Sequence, residues 1–118
     1  MPLLKITTNL SSVSEEMVTN IHKNGGSILA EELNKSTQYV MVVINHGCKM
    51  SFAGDAEQPS AYLEVKNVGE LTPDKTQSIS SRLTLFCTYD LKINPERIYI
   101  EFHQSERHMW GWNGNTFA

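Results

Sequence analysis

The chain has 118 residues, of which 40% are hydrophobic and 19% are charged, and its formal net charge is −3. This length suits one hydrophobic core and one domain, so we expect residues 1–118 to form a single domain. The 10 Lys and Arg residues are scattered along the chain, which argues against nucleic acid as a partner, because nucleic-acid-binding domains present a basic face.

The sequence carries no sign of a membrane segment or of a secretory signal. No run of about 18 apolar residues is present, so we expect no membrane partner, and the N-terminus lacks the basic and long apolar segments of a signal peptide. Cys48 and Cys87 stand alone without a Cys-x-x-Cys motif, which favours a reducing, cytoplasmic environment; export without a signal stays open. The four histidines lack metal-ligand spacing, so we predict no metal site and no cofactor.

The first half of the chain predicts a strand, a helix and a second strand. Residues 3–6 form a short apolar run typical of a buried strand. Ser12 begins a capping-box motif, and apolar residues at helical spacing follow as far as Leu33. The Gly25-Gly26 pair lies inside this helix, where missing side chains would allow a close crossing over a sheet. Residues 39–44 are continuously apolar and predict a buried strand.

The second half repeats this order. Residues 61–65 predict a strand, and Thr72 followed by Pro73 predicts the start of a helix, since threonine is a good cap and proline suits the first helical turn. Apolar residues at helical spacing continue this helix, and residues 98–103 alternate as a strand. The aromatic, glycine-rich tail contains Asn113-Gly114, a turn signal typical of a β-hairpin.

An offset of 58 residues relates the two halves. It aligns equivalent positions in each element: Pro2 with Ser60, Ile21 with Ile79, and Val42 with Ile100. The chain therefore predicts an α+β fold built from a tandem βαβ repeat, residues 2–58 and 60–118, with a four-stranded mixed sheet and two antiparallel helices on one face. The other face of the sheet would be bare and apolar in a monomer, so we also predict an oligomer.

Pro2 is the first candidate for chemistry. Removal of Met1, which a small second residue favours, would leave Pro2 with a secondary amine whose lone pair can accept a proton. A free α-amino group has a pKa of about 7.7–8.0, and an apolar environment lowers that pKa because it disfavours the charged form. The apolar run that follows Pro2 would bury this amine, although a Met-Pro start is by itself common.

Four segments carry a family pattern: Met1-Pro2, Lys35 followed by Gln38-Tyr39-Val40, residues 94–100, and the closing residues 111–118. With these segments the chain resembles, over its whole length, the macrophage migration inhibitory factor and D-dopachrome tautomerase branch of the tautomerase superfamily. The resemblance implies a homotrimer whose three sheets line a central barrel. It also implies keto–enol tautomerisation of aryl 2-oxo acids such as phenylpyruvate, with the N-terminal proline as base.

The resemblance implies a role for each matching residue. Pro2 would take a proton from the carbon beside the keto group and return it, while Lys35 would hold the substrate carboxylate and stabilise the enolate. The backbone N–H of Val68 would help to bind the carboxylate, and Tyr99 would come from a neighbouring subunit. Three aromatic side chains would wall the aryl ring: Trp110, Trp112 and Phe117.

Each of these residues also has a purely structural interpretation. Lys35 at a helix end complements the helix dipole, and Val68 before a glycine can anchor a turn. Tyr99 in an alternating strand can serve packing alone. The aromatic tail can seal a subunit edge as a hairpin, a role that is compatible with lining a pocket.

The chain departs from the family pattern at several positions. Glu101 stands where mammalian members have a pocket asparagine; we include it among the substrate-binding residues, where its charge would raise the pKa of Pro2. Trp110 replaces a smaller aliphatic residue and would narrow the mouth of the pocket. Residues 60–63 replace a mammalian Cys-x-x-Cys motif, so a thiol oxidoreductase activity has no chemical basis here.

Two other functions stay open. The chain could be a cytokine-like binding protein that keeps the pocket as a relic, although Ser12 and Gly47 stand where mammalian members carry an Arg and an Asp implicated in chemokine-receptor mimicry. Some superfamily relatives hydrate or dehalogenate small acids with the same base. Those relatives usually carry arginines in the pocket, and Lys35 is the only pocket cation that the sequence indicates.

Overall fold

A four-stranded sheet and two helices form the body of the protein, and the computed structural model describes all 118 residues. The helices and main strands are β1 (Pro2–Thr8), α1 (Glu15–Leu33), β2 (Met41–Asn45), β3 (Ala61–Val68), α2 (Pro73–Leu91) and β4 (Ile98–Ser105). The chain closes with a hairpin of β5 (Gly111–Trp112) and β6 (Asn115–Thr116). The strand order is β2-β1-β3-β4, with β1 and β3 antiparallel and both outer pairs parallel. This confirms the predicted α+β fold with a mixed sheet.

The two helices lie antiparallel on one face of the sheet. Asn20, near the start of α1, donates a hydrogen bond of 2.6 Å to Asp90, near the end of α2. Arg82 in the middle of α2 donates a bond of 3.0 Å to Glu32 near the end of α1. The core between helices and sheet consists of fully buried side chains from both layers: Leu4, Ile6, Ile21, Leu29, Leu63, Val65, Ile79 and Leu83. Neither helix has the length and apolarity needed to cross a membrane.

The helix starts follow capping rules, with one correction. Thr72 caps α2 as predicted, because its hydroxyl accepts a hydrogen bond of 3.3 Å from the Lys75 N–H. The cap of α1 is Ser14 rather than Ser12, since Ser14 Oγ accepts a bond of 3.1 Å from the Met17 N–H. Several serines precede this helix, and residue type alone does not decide which of them adopts the extended conformation of a cap.

The first strand of each βαβ unit turns alternate residues toward the helices. These inward residues are Pro2, Leu4, Ile6 and Thr8 in β1, and Ala61, Leu63, Val65 and Asn67 in β3. The two helices are related by 58 residues, whereas the inward residues of the two strands match at 59. The predicted alignment of Pro2 with Ser60 is therefore out by one residue, and such a slip moves a side chain to the opposite face of a sheet.

The face of the sheet without helices is largely polar, so the prediction of a bare apolar surface is wrong. On this face, strands β1, β3 and β4 carry mostly polar or charged side chains: Lys5, Tyr62, Glu64, Lys66, Tyr99, Glu101 and His103. Glu64 lies 3.9 Å from both Lys5 Nζ and Lys66 Nζ. The apolar side chains lie mainly toward the β2 edge, at Leu3, Met41 and Val43. Alternation over only a few residues per strand did not reveal this polarity, because the register between strands decides which residues share a face.

The predicted buried strand at residues 39–44 is a short edge strand preceded by a turn. Tyr39 belongs to a single 3-10 turn, Thr37–Tyr39, and pairing with β1 begins only at Met41. The β2 strand is not fully buried, because it has a partner strand on one side only and helix cover on one face only. Met41 is 63% exposed as a result.

Candidate functional site

Two adjoining cavities open at the end of the sheet where β1 begins. The first, of about 380 Å³, is lined mainly by apolar and aromatic side chains, among them Pro2, Val40, Trp110 and Trp112. The second, of about 400 Å³, contains Lys35, Val68, Arg107 and Phe117. Met1 and Tyr39 line both cavities. The start of the chain therefore lies at the boundary between an apolar compartment and a cationic one.

Pro2 is held at this boundary by the sheet. It is the first residue of β1, it pairs with Asn67 of β3, and its side chain is fully buried. Asn67 is also buried, and its Oδ1 has no hydrogen-bond partner within the chain. Met1, which precedes Pro2, is half-buried, and burial lowers the pKa of its amino group, with the nearby positive charge of Lys35 as a second cause. The amino group of Met1 is thus easier to deprotonate than an exposed one.

Lys35 reaches the cationic cavity because α1 ends just before it. Asn34 ends the helix in the left-handed conformation, with φ of 52°. The Lys35 N–H then donates a hydrogen bond of 2.9 Å to the Ala30 carbonyl, which is the usual way in which a helix C-terminus is closed. Val68 lies at the end of β3, and Gly69 turns the chain with φ of 117°, a conformation that favours glycine.

The aromatic walls come from the C-terminal hairpin. Asn113 and Gly114 both have positive φ, 53° and 80°, as the tight turn of a two-residue hairpin requires. The ring of Trp112 meets Tyr39 edge to face at 6.0 Å and stacks on Phe117 at 6.4 Å. Trp110 is half-buried in the apolar cavity. The structure thus brings Pro2, Lys35, Val68 and all three predicted aromatic residues to one end of the fold.

Tyr99 and Glu101 do not join this group within one chain. Tyr99 pairs with Tyr62, and Tyr62 pairs with Thr7, so Tyr99 is level with a residue five positions along β1 from Pro2. At about 3.4 Å per residue this corresponds to about 17 Å. Tyr99 is 66% exposed and packs edge to face against Phe52 at 5.1 Å.

Glu101 lies on the sheet face opposite to the helices. Its carboxylate accepts a hydrogen bond from the Tyr62 hydroxyl, and it lines a shallow polar depression with Glu64, Lys66 and His103. Hydrogen bonding to Glu101, together with burial and the charges of Glu101 and Glu64, raises the pKa of Tyr62 to about 12. Within one chain Glu101 therefore interacts with a tyrosine rather than with Pro2.

Two residues of the site were not identified from the sequence. Tyr39 was interpreted as part of a buried strand, yet it lies in a turn and lines both cavities. Arg107 precedes the hairpin, and it lines the cavity that contains Lys35. Arg107 is brought to the site by its hydrogen bonds with Phe117, ten residues later, and no local sequence pattern indicates that pairing.

Known proteins resemble this chain over its whole length. A sequence model of the family described as macrophage migration inhibitory factor matches residues 1–118. The macrophage migration inhibitory factor homolog of Brugia malayi is 33% identical over 120 residues, which cover all of both chains. The crystal structure of the macrophage migration inhibitory factor homologue from Prochlorococcus marinus is 35% identical, covers 98% of this chain and 99% of that one, and has a TM-score of 0.91. The structure of Leishmania major MIF2 is 31% identical, covers 99% and 97%, and has a TM-score of 0.90.

Proposed function

Because the chain belongs to the macrophage migration inhibitory factor family of the tautomerase superfamily, we propose that it is a keto–enol tautomerase of aryl 2-oxo acids such as phenylpyruvate. The observation that carries the proposal is the position of Pro2, which is fully buried and lines an apolar cavity next to a cationic one. The base is the secondary amine of Pro2 after removal of Met1. An amide nitrogen behind a retained Met1 has no basic lone pair.

The reaction needs only a proton shuttle. The unprotonated amine takes a proton from the carbon beside the keto group, so a C–H bond breaks, an N–H bond forms and the electron pair moves onto oxygen as an enolate. The ammonium then returns its proton to that oxygen, which gives the enol; the reverse sequence gives the keto acid. General acid–base transfer of this kind contributes about 10²–10⁴-fold to the rate.

The two cavities divide the substrate between them. Tyr39, Trp110 and Trp112 provide an apolar and aromatic surface for the aryl ring. Lys35 provides a positive charge for the carboxylate and the developing enolate, and the backbone N–H of Val68 is a further donor for the carboxylate. Aromatic walls also exclude water from the amine, which keeps it unprotonated near neutral pH.

We further propose that the active form is a homotrimer in which Tyr99 and Glu101 reach the cavity of a neighbouring subunit. Tyr99 lies too far from Pro2 to act within one chain, yet it is strongly exposed. Several apolar side chains near the site are also exposed, which favours a covered interface: Tyr39, Met41, Met109 and Trp112. Sedimentation equilibrium of the purified protein tests this, and a single-chain mass would contradict it.

Substitution of the proline tests the base. Pro2→Gly and Pro2→Ala retain an N-terminal amine but change its basicity and rigidity, and we expect kcat/KM to fall by about 10²–10⁴-fold. Pro95→Ala is the matched control, because Pro95 lies in a turn before β4 outside both cavities. The mass of the mature chain must show that Met1 has been removed. If the Pro2 variants tautomerise phenylpyruvate as fast as the native chain, the proposal fails and the alternative, a binding protein with a relic pocket, becomes the better account.

A further inference from the structure

Within one chain, the cationic cavity is lined by two positive side chains and no carboxylate, and a carboxylate from Glu101 would approach it only in the proposed homotrimer. Its charged lining residues are Lys35 and Arg107 alone, and the remaining lining residues are Met1, Tyr39, Val68, Gly69 and Phe117. Two cations that face one space without an acid between them repel each other. Both side chains are exposed, so water screens this repulsion, but together they give the cavity a positive potential that is suited to an anionic group.

Arg107 is oriented by the end of the chain. Its Nε donates a hydrogen bond of 2.7 Å to the Phe117 carbonyl, and the Phe117 N–H donates one of 3.1 Å back to the Arg107 carbonyl. No hydrogen bond or ion pair within the chain engages its Nη1 or Nη2. A guanidinium held through Nε leaves the Nη1–Nη2 edge free, and two parallel N–H donors on one edge match the two oxygens of a carboxylate.

Lys35 and Arg107 differ in what they can bind. The ammonium of Lys35 is a compact charge that can follow an oxygen as its charge grows, whereas the guanidinium is a flat, fixed fork. A 2-oxo acid presents both kinds of target, namely a planar carboxylate and a carbonyl oxygen that becomes an enolate.

We propose that Arg107 is a specificity-determining residue that binds the substrate carboxylate together with Lys35, whose ammonium also follows the oxygen of the keto group as its charge grows. The inference rests on the proposed tautomerase function and adds to it a preference for the free acid over its esters and amides. The carboxylate lies between Arg107 and Lys35, and the aryl ring lies in the apolar cavity beyond Tyr39.

The test compares an acid with its ester. Phenylpyruvate and its methyl ester are assayed with the native chain and with the Arg107→Met and Arg107→Lys variants. We expect Arg107→Met to raise KM for the acid by about 10–100-fold, the range for loss of hydrogen bonds to a charged group, with kcat changed much less and KM for the ester unchanged. Arg107→Lys keeps the charge without the fork, so its KM for the acid should be intermediate. Arg82→Met is the control, because Arg82 lies on α2 and pairs with Glu31 and Glu32.

Arg107 also supports Phe117, and the ester separates the two roles. A purely structural effect of Arg107→Met would raise KM for acid and ester by the same factor, and that result would overturn the proposal, as would an unchanged KM for the acid.

Binding supplies a readout that does not depend on turnover. The chain has only two tryptophans, Trp110 and Trp112, and both line the apolar cavity, so their fluorescence reports ligand entry. If the native chain turns over neither substrate, the proposed function fails. The role of Arg107 is then tested by binding alone. Arg107→Met should weaken binding of phenylpyruvate by about the same 10–100-fold and leave binding of the methyl ester unchanged. Any other result would overturn the inference.

Discussion

Gly25 on α1 and Leu4 on β1 cross so closely that a Cβ on Gly25 would lie 2.9 Å from Leu4 Cδ2. Leu4 is fully buried in the core, so its side chain has little room to move away. Leu4 is also only two residues from Pro2 on the strand that positions the candidate base. The close crossing predicted from the glycine pair is therefore confirmed, and it is Gly25 that permits the helix to pack at this distance.

Gly25→Ala and Gly26→Ala should have opposite effects on stability. Each gains about 1 kcal/mol of helix propensity, and a Cβ on Gly26 would meet only Val42 Cγ2 at 4.0 Å. Gly26→Ala should therefore raise the free energy of unfolding. Gly25→Ala should lower it, because overpacking costs about 1–3 kcal/mol and outweighs the gain. Urea unfolding of the two variants checks this, and equal stabilisation of both would show that Leu4 yields easily.

The sequence was informative where one residue decides the local structure. Thr72 and Pro73 locate the start of α2 because a cap and a first-turn proline have few alternatives. Asn113-Gly114 predicts the hairpin turn because both positions require positive φ. The Gly25-Gly26 pair in α1 is a similar case, because a missing side chain at Gly25 permits the close crossing over the sheet.

The sequence was less informative where strand register decides. Lys5, Glu64 and Glu101 lie side by side on the open face only because β1, β3 and β4 pair in one particular register, and no local pattern fixes that register. Arg107 is a similar case, since it enters the site through contacts with Phe117 ten residues later. Tyr99 and Pro2 lie far apart in one chain, so the proposed contribution of Tyr99 from a second subunit has no counterpart in the fold of one chain.

Arg97 should stabilise the loop before β3 more than a typical surface arginine would. It donates hydrogen bonds of 2.8–3.2 Å to four carbonyls, those of Phe52, Asp55, Gln58 and Pro59, and its side chain is only 13% exposed. Hydrogen bonds from a charged donor are worth about 1.5–3 kcal/mol, so we expect Arg97→Met to lower the free energy of unfolding by at least that range. Amide hydrogen exchange should accelerate across residues 52–59.

Arg82→Met provides the comparison for Arg97. Arg82 pairs with Glu31 and Glu32, but its side chain is 37% exposed and that of Glu31 is 62% exposed, and exposed ion pairs contribute about 0–1 kcal/mol. Arg82→Met should therefore lower the free energy of unfolding by less than Arg97→Met does. Arg97 also places its guanidinium 5.6 Å from the Phe52 ring, which contacts Tyr99. If Arg97→Met lowers the free energy of unfolding no more than Arg82→Met does, water must satisfy the four carbonyls as well as the Arg97 guanidinium does.

Glu101→Gln should make Tyr62 easier to ionise. The hydrogen bond with Glu101 is the main cause of the raised pKa of Tyr62, about 12, and the charge of Glu101 adds to it. Removing that charge favours the tyrosinate, so the pKa should fall toward the ordinary value. Tyrosinate absorbance in an alkaline titration measures this. The Tyr62→Phe variant identifies which part of the absorbance titration belongs to Tyr62, because the tyrosine with the highest pKa should be missing from it. If Glu101→Gln and the native chain give identical titrations, the prediction is contradicted.

Lys35 should contribute, after burial, to the lower pH limit of activity. Burial and the positive charge of Lys35 both lower the pKa of the amine at the start of the chain, and after removal of Met1 the amine belongs to Pro2, which is the more deeply buried residue. The base acts unprotonated, so kcat/KM rises as pH increases through this pKa and is level above it. Lys35→Met removes a positive charge that repels the protonated amine, so the pKa of the amine should rise. The increase in kcat/KM should then occur at higher pH. The plateau value of kcat/KM should fall separately if Lys35 also binds the substrate. Lys35→Arg keeps the charge and should leave the rise in place. A profile of Lys35→Met that falls in height without moving along the pH axis would assign Lys35 to substrate binding alone.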